Sequence, residues 1–264
     1  MLGNNRRILV TGGGSFLGNN IAAALLAEGA EVTLLVRAGL EGALGPLAHR
    51  ARWAVADVWD PASLRGRARG HAMVIHTVGS LIADPAQGLT YHRLNFVSAR
   101  NVVTMCVSDG VPHMMLMSSV GAPWINPQYI RAKREAEQYL TRVGVKGTII
   151  RAPIAYSRQQ TRSPFFMLMT ALGGVPPFAW LGLNRSAPMP VDVLARGVAK
   201  IALLPNRNRT VYYAPELRKY GRRSGDTPYT NFPPPGNAPP RDMHPFDLLD
   251  EDSPFGWAPP TDKR

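Results

Sequence analysis

The stretch from Arg7 to Glu28, RILVTGGGSFLGNNIAAALLAE, leaves few options for the rest of the chain. Ile8, Leu9, Val10 and Thr11 predict a short strand. Gly12, Gly13 and Gly14 predict a turn, and the apolar residues from Phe16 through Ile21, Ala24 and Leu25 recur at helical spacing. Strand, glycine turn and helix in that order open a dinucleotide-binding unit. The unpaired N–H groups and positive dipole end of a helix N-terminus favour a pyrophosphate, and glycines let the backbone approach it. Glycine clusters also make ordinary turns, so the order of the elements carries the inference.

The rest of the first half repeats the same alternation. Glu31–Val36 predicts a second strand buried on both faces, 52–56 a third ending at Asp57, and 73–78 a fourth ending at Gly79. A long helix is expected over 87–108, a fifth strand over 113–118, a helix over 127–143 and a sixth strand over 146–151. Such alternation predicts a doubly wound, mostly parallel Rossmann sheet covered on both faces. Arg37 follows the second strand at once, 25 residues after Gly12. An acidic residue there suits the ribose of NAD, whereas an arginine suits the 2′-phosphate of NADP. NADP(H) is therefore the expected cofactor, ahead of NAD(H).

Composition narrows the classes. The chain has 264 residues and is 45% hydrophobic, enough for one large α/β core. Its net charge is +12, and only five of its 30 basic residues are lysines. That balance suits phosphates, nucleic acid or anionic lipid, and equally a solvated surface. A single cysteine, Cys106, excludes an internal disulfide, and the six histidines show no metal-ligand spacing. Met1 to Asn5 runs straight into the first strand without the pattern of a signal peptide, and no run of 18 apolar residues predicts a membrane span.

The motifs TGGGSFLG, Asp57-Val58, HTVG at 76–79, Asn95, Ser118-Ser119 and Tyr129-Ile-Arg-Ala-Lys133 stand in the order of the short-chain dehydrogenase/reductase superfamily, which the chain resembles over about residues 6 to 215. RAPIAYS (151–157) and PMPVDVLARGVAKIAL (188–203) resemble later blocks of its extended and atypical branches. More narrowly, HTVGSLI, YIRAKREAEQYL and TIIRAPIAYS are similar to the mitochondrial group that contains an NADPH-binding accessory subunit of respiratory complex I and a related coenzyme Q biosynthesis protein. The resemblance implies a cofactor site of Thr11, Gly12, Gly13, Gly14, Ser15, Phe16, Leu17, Gly18, Arg37, Asp57, Val58, Thr77, Val78, Gly79, Asn95, Lys133, Ala152 and Pro153. It also implies Tyr129 as proton donor or acceptor, Lys133 as the group that holds the nicotinamide ribose and lowers the tyrosine pKa, and Ser118 or Ser119 as the orienting serine. Ser15 departs from the family's TGxxGxxG pattern, where a glycine stands. Its side chain either crowds the pyrophosphate or donates a hydroxyl to it.

The spacing of four between Tyr129 and Lys133 puts both on one helix face. An ordinary amphipathic helix would do the same. Glu135 and Glu137 alternate with Arg134 and read as a solvated face. Residues 164–184 carry no charge and, with Arg158, Arg162 and Arg185 around them, suit an apolar substrate cap, a lipid surface or plain core. Three units are expected: a Rossmann domain at 1–157, a small substrate lobe at 158–220 interleaved with it, and an extended proline-rich tail at 221–264. The tail holds ten of the 24 prolines, with seven acidic against five basic residues. Phe232, Phe246, Phe255 and Trp257 punctuate it as anchors on a protein partner would.

Three functional classes follow. The first is an NADP(H)-holding accessory subunit of a membrane redox complex, peripheral to a bacterial membrane's cytoplasmic side or in the mitochondrial matrix. Its partners would be other subunits reached through the tail and an anionic lipid surface; nucleic acid is not expected. The second is an NADP-dependent oxidoreductase or epimerase acting on a small lipophilic or sugar-nucleotide substrate. The third is an NADP-sensing regulator.

Overall fold

The alternation of apolar strands and helices builds a seven-stranded sheet. Its strands are β1 (Arg7–Gly13), β2 (Glu31–Val36), β3 (Arg52–Val55), β4 (Met73–His76), β5 (His113–Ser119), β6 (Lys146–Ala152) and, after a separate pair, β9 (Val211–Tyr212). All seven are parallel, in the order β3-β2-β1-β4-β5-β6-β9. The separate pair, β7 (Ala155–Tyr156) and β8 (Met189–Pro190), is also parallel. The structure is a computed structural model that describes residues 6–157, 186–204 and 209–222. The expected apolar cap at 164–184, the arginines around it and the tail beyond Arg222 lie outside the described residues.

Side chains alternate across each strand, so the sheet separates two cores. Ile8 and Val10 of β1 and Met115 and Met117 of β5 face one core. It is closed by α1 (Phe16–Ala27), the short α2 (Leu47–Arg50) through Leu47, α6 (Val191–Leu203) and α7 (Ala214–Gly221). Leu9, Met114 and Leu116 face the other, closed by α3 (Pro61–Leu64), α4 (Ser98–Ser108) and part of α5 (Pro127–Val143). Cys106 is a buried member of that second core, and burial pushes its thiol up to about 12. α7 takes in Gly221, the first residue of the expected tail. A side-chain carbon at Gly221 would meet the Val193 carbonyl oxygen at 2.2 Å, so close helix packing excludes one.

The long helix expected over 87–108 is interrupted. A 3₁₀ turn covers Pro85–Gln87, a π-helical turn covers His92–Val97, and regular α-helix begins only at Ser98. Asn95 sits inside the π turn. Its side chain binds both the Ser80 N–H (3.1 Å) and the Ser80 carbonyl (2.9 Å). The widened turn serves that clamp, a common use of π-helix near sites.

β1 lies between β2 and β4, so successive crossovers leave its C-terminal end in opposite directions and open a crevice there. The glycine turn sits in that crevice. Gly12 and Gly14 have positive φ (81° and 85°). Gly18, in the first turn of α1, comes so close to Gly12 that an added Cβ would lie 2.1 Å from its carbonyl oxygen. Gly18→Ala should therefore cost about 1–3 kcal/mol through overpacking. Urea denaturation measures it, and unchanged stability would show that the turn relaxes without penalty.

Candidate functional site

The helix end is built by Ser15. As N-cap of α1 it accepts from Gly18 N (3.1 Å) while its hydroxyl donates to Gly12 O (2.6 Å). The single hydroxyl proton is used inside the turn, so Ser15 has none left to donate to a phosphate. Asn19 Oδ1 takes the Gly14 N–H at 2.9 Å, and its amide binds the Ala43 carbonyl. The N–H groups of Phe16 and Leu17 remain at the first two helical positions, where no intrahelical acceptor exists. A pyrophosphate fits this end, because glycine backbone, two outward amides and the dipole act together.

Arg37 follows β2 directly, and Val36 is the register partner of Gly13, so the arginine stands beside the glycine turn. Burial lowers its guanidinium, and the Asp57 charge opposes that. The Asp57 carboxylate also receives Trp59 N at 2.8 Å, while its own N–H donates to Ser63. Val58 is buried in the second core. Thr11 and Thr77 lock β1 to β4. Thr77 Oγ1 donates to Thr11 O at 2.5 Å, and Thr77 N donates to Thr11 Oγ1 at 3.3 Å. Their polar atoms are spent on the scaffold. Val78, Ala152 and Pro153 are buried.

The second half of the site gathers where β4, β5 and α5 meet. An added Cβ at Gly79 would sit 2.4 Å from Lys133 Nζ and 2.5 Å from Asn95 Oδ1, so only glycine lets these groups close over the strand end. Lys133 Nζ donates to Met117 O at 3.3 Å and lies 5.8 Å from the centre of the Tyr129 ring. Tyr129 and Lys133 are both fully buried. Burial pushes the phenol up, with Ser119 and Arg134 opposing, and pulls Lys133 down to about 7, with Glu137 opposing. Arg134 is thus a second cation near the phenol, beside the Lys133 that the resemblance implied.

The two candidate serines separate because neighbours on a strand face opposite sides. Ser119 donates its hydroxyl to the Val120 carbonyl at 3.1 Å and opposes the burial-driven rise of the Tyr129 phenol. Ser118 turns the other way and donates to Glu137 Oε1 at 2.5 Å. Glu137, expected on a solvated face, is instead 5% exposed. It accepts from Arg134 and, through both oxygens, from Arg151 (2.6 Å at the closest). Arg151 continues to the Tyr213 hydroxyl at 2.8 Å, and Arg134 to the Ser119 carbonyl at 2.8 Å. This buried carboxylate links β5, α5, β6 and the start of α7. Its spacing of four from Lys133 was the available signal, obscured by the neighbouring charges. Glu135 is partly exposed and lies 3.6 Å from His92.

His76 was also missed. It is fully buried, 2.9 Å from Thr11 Oγ1 through Nδ1, with Nε2 lacking a hydrogen-bond partner among the described residues. Burial and the Lys133 charge lower it to about 3, so it stays neutral at physiological pH.

A family model described as NAD(P)H-binding matches residues 12–167, more than half of the chain, and the chain belongs to that family. Solved structures with the same fold include UDP-glucose 4-epimerase of Thermus thermophilus in complex with NAD, 18% identical over 81% of both chains with a TM-score of 0.56. The UDP-Glc/GlcNAc 4-epimerase of Campylobacter jejuni is 15% identical over 81% of this chain and 82% of its own, with a TM-score of 0.56. Vestitone reductase from alfalfa is 18% identical over 76% and 74%, with a TM-score of 0.52. These neighbours lie in the dehydrogenase/epimerase superfamily that the motifs resemble, and at such identities they establish the fold.

The buried lysine gives a signed pH dependence. Between about pH 7 and its ordinary value of 10.5, the unfolded chain binds a proton at Lys133 that the folded chain does not. The site's contribution to stability therefore rises with pH across that window. Lys133→Met should remove that rise and stabilise the protein at neutral pH by about 1–3 kcal/mol. Urea titrations of both proteins at neutral and alkaline pH measure it; identical pH profiles would contradict the assignment.

Proposed function

We propose that this chain holds NADP(H) as a peripheral accessory subunit of a membrane redox complex and turns over little or no substrate. The observation that carries this reading is the condition of Tyr129 and Lys133. Both side chains are fully buried, and the Lys133 ammonium is turned to the Met117 carbonyl 3.3 Å away, so neither group opens to solvent; burial also raises the phenol. The pair has the position of a dehydrogenase acid/base couple but is closed off from solvent. In this reading Lys133 and Asn95 close around Gly79 to seat the nicotinamide end. Phe16 and Leu17 N–H hold the pyrophosphate, and Arg37 meets the 2′-phosphate. When bound, the nucleotide supplies hydride chemistry; the chain's residues bind it and keep it from water. The acidic, aromatic tail would dock on neighbouring subunits.

A second reading rests on the proximity of Ser119, which opposes the rise of the Tyr129 phenol; a serine beside the tyrosine is what an NADP-dependent oxidoreductase or epimerase would need for a small lipophilic or sugar-nucleotide substrate.

Titration with each nucleotide should give tighter binding of NADP(H) than of NAD(H), and Arg37→Asp should cost about 1–3 kcal/mol of that preference. Equal affinities in the wild type would contradict the cofactor assignment. Tyr129→Phe should leave nucleotide affinity nearly intact. If the wild type reduces quinone precursors or sugar nucleotides and the variant loses about a hundredfold or more in turnover, the second reading holds instead. Truncation after Arg222 should leave a folded, nucleotide-binding domain that no longer co-purifies with partner subunits. Loss of folding would place the tail within the domain.

A further inference from the structure

All seven strands are parallel, so the sheet edge opposite the nucleotide crevice is formed by strand N-terminal ends. There the starts of β1, β2 and β3 border a groove of about 490 Å³. Arg7, Arg50, Arg52, Arg69 and His71 line it against one carboxylate, Glu31. Arg7 pairs with Glu31 at 3.1 Å, and Arg69 with Asp109 at 3.5 Å. Arg50 and Arg52 have no ion-pair partner among the described residues. The positive potential is felt at half-buried His71, whose imidazole is lowered by burial and further by the charges of Arg7 and Arg52. The Asp109 carboxylate that meets Arg69 is also held by the Gly66 and Ala68 amides.

An independent observation lies on the adjoining strand. β3 is the outermost strand of the sheet, and Trp53, next to Arg52 at its N-terminal end, is 42% exposed. Unpaired arginines in a concavity cost self-repulsion unless an anion joins them. An acidic protein surface would satisfy the arginines but gives no reason for an exposed tryptophan beside them. Arginine at phosphate level with tryptophan among the headgroups is the pattern of a protein lying on an anionic membrane.

We propose that this edge of the sheet seats anionic phospholipid headgroups, with phosphates in the Arg50–Arg52 groove and Trp53 inserted among the headgroups. It deepens the peripheral placement proposed above and would turn the nucleotide crevice away from the bilayer.

Flotation of the full chain with vesicles tests it. The wild type should bind mixed phosphatidylcholine–phosphatidylglycerol vesicles and not pure phosphatidylcholine, with binding weakened by salt. Arg50→Gln with Arg52→Gln should lower the affinity about tenfold or more. Trp53→Ser should weaken it separately. NADP(H) affinity, measured on the same samples, should be unchanged in each variant, which also confirms that they fold. Absence of vesicle binding, equal binding to both vesicle types, or full binding by the double arginine variant would overturn the proposal. Protection of the groove by inorganic phosphate without vesicle binding would make it a free-phosphate site and overturn it likewise. Loss of NADP(H) binding in the wild type would defeat the nucleotide reading while leaving the vesicle result standing.

Discussion

The contact between Gly18 and the Gly12 carbonyl governs this structure. With room for only a hydrogen at Gly18, α1 begins hard against the end of β1, and its first amides are aimed at the crevice. Ser15 stabilises that approach from both sides, capping the helix and closing the turn with one hydroxyl. A glycine there would leave the cap to water, whereas here the turn is tied internally. The position of α1 then fixes α6, because the two helices share the core on one face of the sheet. Chain from the C-terminal part, beyond Ala187, is thereby part of the same packed body as the first strand.

A second constraint is the buried carboxylate of Glu137. A carboxylate removed from water needs its charge balanced and its lone pairs filled. Two arginines and a serine do this, drawn from β5, α5 and β6. Through Arg134 the network reaches the Ser119 backbone beside Tyr129, and through Arg151 it reaches Tyr213 at the N-cap of α7. The acid/base candidates thus rest on a polar frame, which holds their positions while burial determines their protonation.

Local periodicity made the strand–turn–helix at the start legible, along with the alternation of strands and helices and the shared face of Tyr129 and Lys133. Those features follow from which residues are apolar and at what spacing. The π turn did not, because its cause is Asn95 reaching the backbone of Ser80, a contact across 15 residues that no local pattern records. Glu137 was misplaced because its partners, Ser118 and Arg151, lie on strands distant in sequence. Ser118 and Ser119 looked equivalent until strand register sent them to opposite sides. His76 is an ordinary strand residue by pattern, and only burial beside Lys133 distinguishes it.

The central claim is that the crevice at the end of β1 is a seat for NADP(H). Native mass spectrometry of the full chain, purified from its source and examined before any nucleotide is added, addresses that claim most directly. The account predicts a bound mass equal to NADP(H), retained through mild desalting, with little NAD(H). A protein that carries no dinucleotide and takes up none when NADPH is supplied would contradict it.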